Sequence, residues 1–262
     1  MGGCSINANG TAIGNETLAA AKDAGDVLLG SIGGPEWGTG ALRPEQGLLK
    51  LRKRMGTYGD LRPYFFAFDS LVDASPFVIV ERVARLAGFL ARDLSDKKLI
   101  DNAAMIMVKN YTGLNGVVVT SNLFCDIISD EPSIIPGRIG LLPSASLSGV
   151  PDVKDKCNGI YEPIYGSAPD ISGNGIVNPI GTILPVAMLQ PYSLNLPEEA
   201  KAVEEAVHVA LDGGLRTKDL GGNATTEVVG DAVVEELKKI LKPQGVLSDW
   251  RDLLQRMLPW WL

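Results

Sequence analysis

Two carboxylates four residues apart are the side chains of this sequence best placed to do chemistry. Asp126 and Asp130 lie in the segment TSNLFCDIISD, residues 120–130, which directly follows an apolar, strand-like run. At that spacing both face one side of a helix, where two negative charges repel each other unless a cation or a basic group lies between them. The pattern therefore indicates a site for a hard metal ion, and a solvated acidic helix face is the alternative.

A second set of candidates places arginines beside leucines. Residues 43–54 predict a helix in which Leu48, Leu49 and Arg52 lie within one turn of each other. A guanidinium next to alkyl side chains suits a ligand that carries a carboxylate beside an alkyl group, and an amphipathic helix with a basic outer face is the alternative. Arg62 is followed by proline, which favours an extended backbone, so we expect Arg62 at the edge of a strand.

Two glycine-rich segments are candidates for ligand-binding loops. They are GGPEWGTG, residues 33–40, and EPIYGSAPDISGNGIVNP, residues 162–179. Ordinary turns are the alternative for the first. In the second, small residues allow backbone amides to point at a phosphate. It does not have the GxGxxG spacing, so a dinucleotide-binding Rossmann motif is not predicted.

The composition limits the class of protein. With 262 residues, 45% of them hydrophobic, the chain can bury the core of one large or two small domains. A net charge of -7 argues against nucleic acid or an anionic membrane surface as partner. Three cysteines without a CxxC pair fit a reduced compartment. Neither a membrane span nor a signal peptide is predicted, so we expect a cytoplasmic protein.

The elements that would position these residues are typical of an α/β protein. Residues 16–24 have a helical pattern, and residues 26–32 form an apolar run like those buried in parallel sheets. His208, the only histidine, lies on a predicted amphipathic helix without a catalytic neighbour. In residues 243–262 apolar side chains recur at helical spacing, which fits either a docked segment or one that never orders.

Seven segments in chain order resemble one enzyme family. They are RPEQGLLKLRK, LRP, LIDNAAM, TSNLFCDIISD, GLLPSASLSG, YEPIYGSAPDISGNGIVNP and TKDLGG. Over residues 3–242 the chain is similar to the fungal 3-isopropylmalate dehydrogenases, which are β-decarboxylating dehydrogenases. The resemblance implies an α/β fold of the isopropylmalate dehydrogenase type in truncated form. It places residues 1–57 and 138–242 in a nucleotide-side domain and 58–137 in a reduced dimerisation and substrate domain, with 243–262 outside the family pattern.

The resemblance also implies a reaction and a set of residues. The reaction is the NAD-dependent oxidation and decarboxylation of a 3-alkylmalate in leucine biosynthesis, by a homodimer that uses Mg²⁺ or Mn²⁺. The implied residues are Glu45, Leu48, Leu49, Arg52 and Arg62 for the substrate; Asp126, Asp130 and, from the other subunit, Asp101 for the metal; and Gly166, Ser167, Ala168, Asp170 and Asn178 for NAD. Asp170 would accept hydrogen bonds from the ribose hydroxyls, which favours NAD over NADP.

The departures from the family pattern predict weak or absent turnover. Members of the family have a strand and a helix that come before the part matched by the first residues of this sequence. They also have a segment with a third substrate arginine and a proton-donating tyrosine, which has no counterpart between Val80 and Glu81. A further segment is missing after Lys97, which makes Lys97 the only candidate for the general base; an exposed lysine in a charged turn is the alternative. Tyr165 stands where the family has histidine. An inactive remnant that binds ligand or a second subunit, and an incomplete gene model, are the alternatives to a working enzyme.

Overall fold

The structure, a computed structural model, describes residues 1–38, 40–63, 133, 138–150 and 157–241. These residues form helices on both faces of a sheet, in agreement with the predicted α/β class. The six helices of the described residues are α1 (Gly3–Asn9), α2 (Asn15–Ala24), α3 (Glu45–Met55), α4 (Ile180–Leu189), α5 (Pro197–Asp212) and α6 (Thr226–Leu241). The strands are β1 (Asp26–Leu28), β2 (Gly59–Leu61), β3 (Pro143–Leu147) and β4 (Gly159–Pro163).

The sheet has four strands in the order β1-β4-β3-β2. β1 pairs with β4 in parallel, whereas β3 is antiparallel to both β4 and β2. Three of the strands, β1, β2 and β4, therefore run in the same direction, and their carboxyl ends lie at the same edge of the sheet. One row of the register joins Leu28, Tyr161, Ala145 and Leu61 across all four strands.

The register sorts the side chains onto two different faces, because successive residues of a strand point to opposite sides. The first, which we call the polar face, carries Val27, Asp60, Ser144, Ser146, Ile160 and Glu162. Its apolar part packs on α2 and α3 through Leu18, Leu51 and Met55. The second, which we call the apolar face, carries Leu28, Leu61, Ala145, Leu147 and Tyr161, and it packs on Met188 of α4.

A separate core joins the three C-terminal helices. It contains Leu141, Ile180, Leu184, Ala206, Val207, Ala210, Leu211, Val229 and Val233. Pro185 lies inside α4, where a proline removes one backbone hydrogen bond, and the next residues, Gln190–Leu194, widen into a π-helical turn. Burial of this apolar stripe therefore outweighs the local cost of the proline.

Two of the predicted helices are confirmed, and one strand is shorter than expected. α2 covers the helix predicted at residues 16–24, and α3 confirms the helix predicted at residues 43–54 but begins two residues later, at Glu45. β1 ends at Leu28 rather than at residue 32, although Leu29 N still donates to Tyr161 O at 2.8 Å before the chain turns into the glycine-rich loop. In the ranges that the structure describes, every helix is too short or too polar to cross a bilayer. The division into two domains stays a prediction.

Candidate active site

The candidate site lies where the carboxyl ends of β1, β2 and β4 meet. β1 leads into the loop of residues 29–40, β2 into Arg62, and β4 into the loop of residues 164–179. In open α/β sheets, ligands bind outside the carboxyl ends of the strands, because the loops there converge. The sheet thus brings both glycine-rich segments and one of the predicted substrate arginines to one edge.

Arg52 is held at this edge by an ion pair with the sheet. Its helix, α3, buries Leu51 and Met55 against Ile160. Because Arg52 directly follows Leu51, its side chain is directed toward β4. Arg52 Nη2 donates to Glu162 Oε1 at 2.6 Å, with the two side chains only 21% and 11% exposed. Burial raises the pKa of the Glu162 carboxyl above its usual range, and the Arg52 guanidinium opposes that shift.

The second predicted substrate arginine is paired in a similar way. Arg62 Nε lies 3.1 Å from Asp60 Oδ2, and Ser146 Oγ donates to the other carboxylate oxygen, Asp60 Oδ1, at 3.3 Å. Asp60 and Arg62 also act on Glu162, since the carboxylate raises and the guanidinium lowers its pKa. We call Arg52, Asp60, Arg62 and Glu162 the charge cluster; its two positive and two negative groups sum to zero when all are ionised.

One donor of the charge cluster has no acceptor in the part of the chain that the structure describes. Arg52 Nε is buried, and it makes no hydrogen bond with any of the described residues. A buried donor without an acceptor costs about 1–3 kcal/mol. Nε and Nη2 lie along the same edge of the guanidinium, and a carboxylate binds best when it accepts from two such donors at once. The geometry therefore leaves half of a carboxylate-binding edge unused.

Gly33 brings a predicted substrate residue and a predicted cofactor residue together. A Cβ placed on Gly33 would lie 3.2 Å from Glu45 Oε1 and 3.3 Å from Ser167 Oγ, so both side chains lie close to this position. Gly33 has φ +140°, a conformation that other residues rarely adopt. The first glycine-rich loop thus passes between the start of α3 and the loop after β4.

The loop after β4 contains four of the residues predicted to bind NAD, which are Gly166, Ser167, Ala168 and Asp170. Gly166, Ala168 and Asp170 are exposed, and Ala168 adopts a left-handed conformation with φ +40° just before the turn Pro169–Ile171. An added Cβ at Gly166 would meet nothing within 4 Å, so ligand can approach this backbone. The Asp170 carboxylate makes no hydrogen bond with another described residue. An exposed carboxylate with free oxygens fits the two hydroxyls of a ribose.

Asn178 and Tyr165 attach the two ends of this loop to α4. Asn178 is buried, its Nδ2 donates to Asp219 Oδ2 at 3.1 Å, and its Oδ1 accepts from Ile180 N at 3.0 Å. The Tyr165 hydroxyl is hydrogen-bonded to Thr182 Oγ1 at 2.9 Å, and burial raises its pKa. Asn178 therefore has a structural role in this chain, and its contact with adenine stays a prediction.

Comparison with known proteins identifies the family. The family model described as isocitrate/isopropylmalate dehydrogenase matches residues 1–87 and 91–234. The chain belongs to the isocitrate/isopropylmalate dehydrogenase family. The match includes every described residue of the charge cluster and both loops, so the predicted family resemblance is confirmed.

Relatives of this dehydrogenase family are similar over most of the chain. The 3-isopropylmalate dehydrogenase of Neurospora crassa is 52% identical, and the alignment covers 92% of this chain and 88% of the relative. That of Saccharomyces cerevisiae is 45% identical, with 92% and 87% covered. The chain has 262 residues, whereas such relatives have about 360.

Solved structures of the same family share the fold. A β-decarboxylating dehydrogenase from Thermococcus kodakarensis, in its apo form, aligns with a TM-score of 0.69 at 27% identity, over 95% of this chain and 88% of that one. The isocitrate dehydrogenase of Methylococcus capsulatus aligns with a TM-score of 0.70 at 22% identity, over 90% and 88%. The second likeness concerns the fold alone.

The two predicted leucines separate on the dehydrogenase helix α3. Leu48 is partly buried and packs on the core below α3, whereas Leu49 is 62% exposed. One turn of helix thus buries part of one leucine in the protein interior and leaves the other exposed. Arg52 follows four residues after Leu48, so it points toward the sheet rather than into solvent.

The remaining predicted residues lie outside the described part of the dehydrogenase. They are Lys97, Asp101, Asp126 and Asp130. Within the described ranges, no three His, Cys, Asp or Glu side chains are close enough to hold a metal ion. The metal site and the general base therefore stay predictions. His208 lies on α5 with its Nε2 2.9 Å from Asp212 Oδ2.

Sequence reasoning gave no role to two acids of this dehydrogenase site. Glu162 lies in a strand, GIYEP, whose five residues are all buried, and a charged residue in such a strand requires a partner. Asp60 stands two residues before Arg62, a spacing that places both side chains on one side of an extended chain. Both features can be read from the sequence, but neither of them shows which residue pairs with Glu162 or with Asp60.

Proposed function

We propose that this chain catalyses the NAD-dependent oxidation and decarboxylation of a 3-substituted malate, as a 3-isopropylmalate dehydrogenase of leucine biosynthesis. The observation that carries the proposal is the meeting of two arginines and the GSAPD loop at one edge of the sheet. Relatives named 3-isopropylmalate dehydrogenase that are 45–52% identical support the choice of substrate.

The substrate residues would orient a dicarboxylate beside an alkyl group. Arg52 and Arg62 supply the positive charge for the two carboxylates, as guanidinium forks do elsewhere. The exposed Leu49 offers apolar surface to the 3-substituent. Glu45, next to Gly33 and Ser167, lies where the substrate and cofactor regions meet.

The cofactor would bind along the loop after β4. Gly166, Ser167 and Ala168 present the backbone, and Asp170 accepts from ribose hydroxyls and repels a 2′-phosphate. Asn178 fixes the end of the loop and, by the family resemblance, contacts adenine. Bound NAD supplies the hydride acceptor of the reaction.

The metal and base residues complete the proposal. Asp126 and Asp130, with Asp101 from a second copy in a homodimer, would hold Mg²⁺ or Mn²⁺, which acts as a Lewis acid on the substrate oxygens. Lys97 would take the hydroxyl proton as general base. We propose a cytoplasmic location for this homodimer.

A steady-state assay tests the proposal. The purified chain is given 3-isopropylmalate, NAD and Mn²⁺, and NADH formation is followed by absorbance. We expect slow, metal-dependent NADH formation, because the segment with the third substrate arginine and the proton-donating tyrosine is missing. Asp126→Ala should reduce it to the level of the metal-free control, because the Lewis acid is lost. Asp23→Ala, an exposed acid on α2, serves as the control and leaves the rate unchanged.

The shorter chain favours one alternative, a protein that binds both ligands without turnover. Calorimetric titration with 3-isopropylmalate and with NAD separates the two. Binding of both without NADH above the metal-free control supports the alternative. If the chain binds neither ligand and forms no NADH, the assignment is overturned.

A further inference from the structure

The ion pair at Arg52 uses one of the two nitrogens that a side-on substrate carboxylate needs. Glu162 Oε1 accepts from Nη2 at 2.6 Å, while the neighbouring Nε is buried and without an acceptor among the described residues. A ligand carboxylate that accepts from both Nε and Nη2 competes with Glu162 for Nη2 and brings a second negative charge beside it.

Among the described residues, Arg62 is the only other cation that lowers the pKa of Glu162. The charged groups that face it are Arg52 from α3 and Asp60 and Arg62 from β2 and its end. Arg62 is already 3.1 Å from Asp60, and the hydroxyl of Ser144, beside Glu162 in the sheet, donates to the backbone oxygen Glu162 O at 3.2 Å. A second carboxylate in this buried place would put two negative charges side by side.

We propose that Glu162 is an internal substitute for a substrate carboxylate, which holds Arg52 in the ligand-free chain and releases it to the substrate while taking up one proton. This inference rests on the proposed function. Glu162 is then a positioning residue: it keeps the guanidinium aimed at the site when no substrate is present. In the ligand-bound chain it is a neutral carboxylic acid next to the bound carboxylate.

The proton balance follows from this exchange. Before binding, the positive Arg52 is paired with the negative Glu162. After binding, Arg52 is paired with the substrate carboxylate, and Glu162 carries a proton taken from solvent. Binding therefore consumes one proton, so affinity falls as the pH rises, by up to about tenfold per pH unit.

Calorimetry of the full chain measures this proton directly. 3-Isopropylmalate is titrated into the wild type and into Glu162→Gln at several pH values, in two buffers of different ionisation enthalpy, with the same Mg²⁺ concentration throughout. Glu198→Gln is the matched control, since Glu198 is exposed on α5 and pairs only with Lys201 at 2.8 Å among the described residues.

We expect uptake of about one proton per substrate by the wild type and by Glu198→Gln, and none by Glu162→Gln. The variant also binds about tenfold more tightly at the upper end of the pH range, because a neutral amide competes less well for Arg52 than a carboxylate does. The same conclusion is supported if Glu162→Gln binds 3-isopropylmalate and the wild type and Glu198→Gln do not.

Other outcomes overturn the inference. Equal proton uptake by the wild type and Glu162→Gln shows that another group titrates. Weaker binding by Glu162→Gln, with Glu198→Gln unchanged, shows that Glu162 assists the substrate rather than competing with it. Absence of binding by all three proteins overturns both this inference and the assignment of the substrate, whereas the first two outcomes leave the assignment intact.

Discussion

The two faces of the sheet have the same backbone and opposite chemistry. On the apolar face, Leu147, Ala145 and Tyr161 pack on Met188 of α4 with almost no exposed surface. On the polar face, alternate residues of the same strands pair Ser146 with Asp60 of β2 and Glu162 with Arg52 of α3. Every second residue of these strands thus packs in one core, and the residues between them include the polar Ser144, Ser146 and Glu162.

This difference shows how a buried sheet can divide apolar packing and ionised groups between its two faces. The apolar face supplies burial, which is worth roughly 25 cal/mol per Å² of apolar surface. The polar face carries buried charges that are costly unless each has a partner. Both arginines of the charge cluster meet that condition through an acid within 3.1 Å. The charges lie near the strand ends, where ligand can reach them.

The largest effect is expected on the apolar face. Leu147→Ala removes a side chain that is 2% exposed and should lower the free energy of unfolding by about 3 kcal/mol, because it leaves a cavity against Met188. Binding of 3-isopropylmalate should not change. Ser146→Ala, the neighbour that points to the polar face, should cost only about 1 kcal/mol through its bond to Asp60. Urea unfolding and calorimetry measure the two quantities, and an equal cost for both variants would contradict the division into faces.

A smaller loss of stability is expected from the polar face, together with a loss of binding. Arg52→Ala leaves Glu162 buried and unpaired and should cost about 2 kcal/mol at neutral pH. The double variant Arg52→Met with Glu162→Gln should recover most of that stability without recovering substrate binding. Arg54→Ala, an exposed arginine on the same helix, controls for the change in net charge. Persistence of the full loss in the double variant would show that Arg52 acts through packing rather than through its charge.

The smallest effect is a slope with pH. Burial raises the pKa of Glu162 in the folded chain, so the folded state binds its proton more tightly than the unfolded state. The stability that this group contributes is present below the ordinary glutamate pKa of 4.5 and is lost as the pH rises through the raised value. Relative to Glu162→Gln, the wild type should therefore become less stable with rising pH, by at most about 1.4 kcal/mol per pH unit. Urea unfolding of both proteins across this range gives the slope, and a slope of opposite sign would mean that Arg52 outweighs burial.

Local sequence patterns predicted the elements, but not the partners that meet across the sheet. The helices α2 and α3 follow from their apolar spacing, and the position of Arg62 at a strand edge follows from its proline. The pairing of Arg52 with Glu162 joins residues 110 positions apart, and no local pattern contains that information. The order β1-β4-β3-β2 is what places them together. The early end of β1 depends in the same way on the partner strand β4.

Gly33 lies close to residues that are proposed to bind two different ligands. Glu45 Oε1, from the region proposed for the substrate, and Ser167 Oγ, from the region proposed for the cofactor, both lie within 3.3 Å of the position that a Cβ on Gly33 would occupy. A methyl group at this position would press against both side chains and push them apart. Residue 33 is therefore a useful position for enzyme engineering. One substitution there would shift the two proposed ligands relative to each other, while the residues proposed to bind them stay the same.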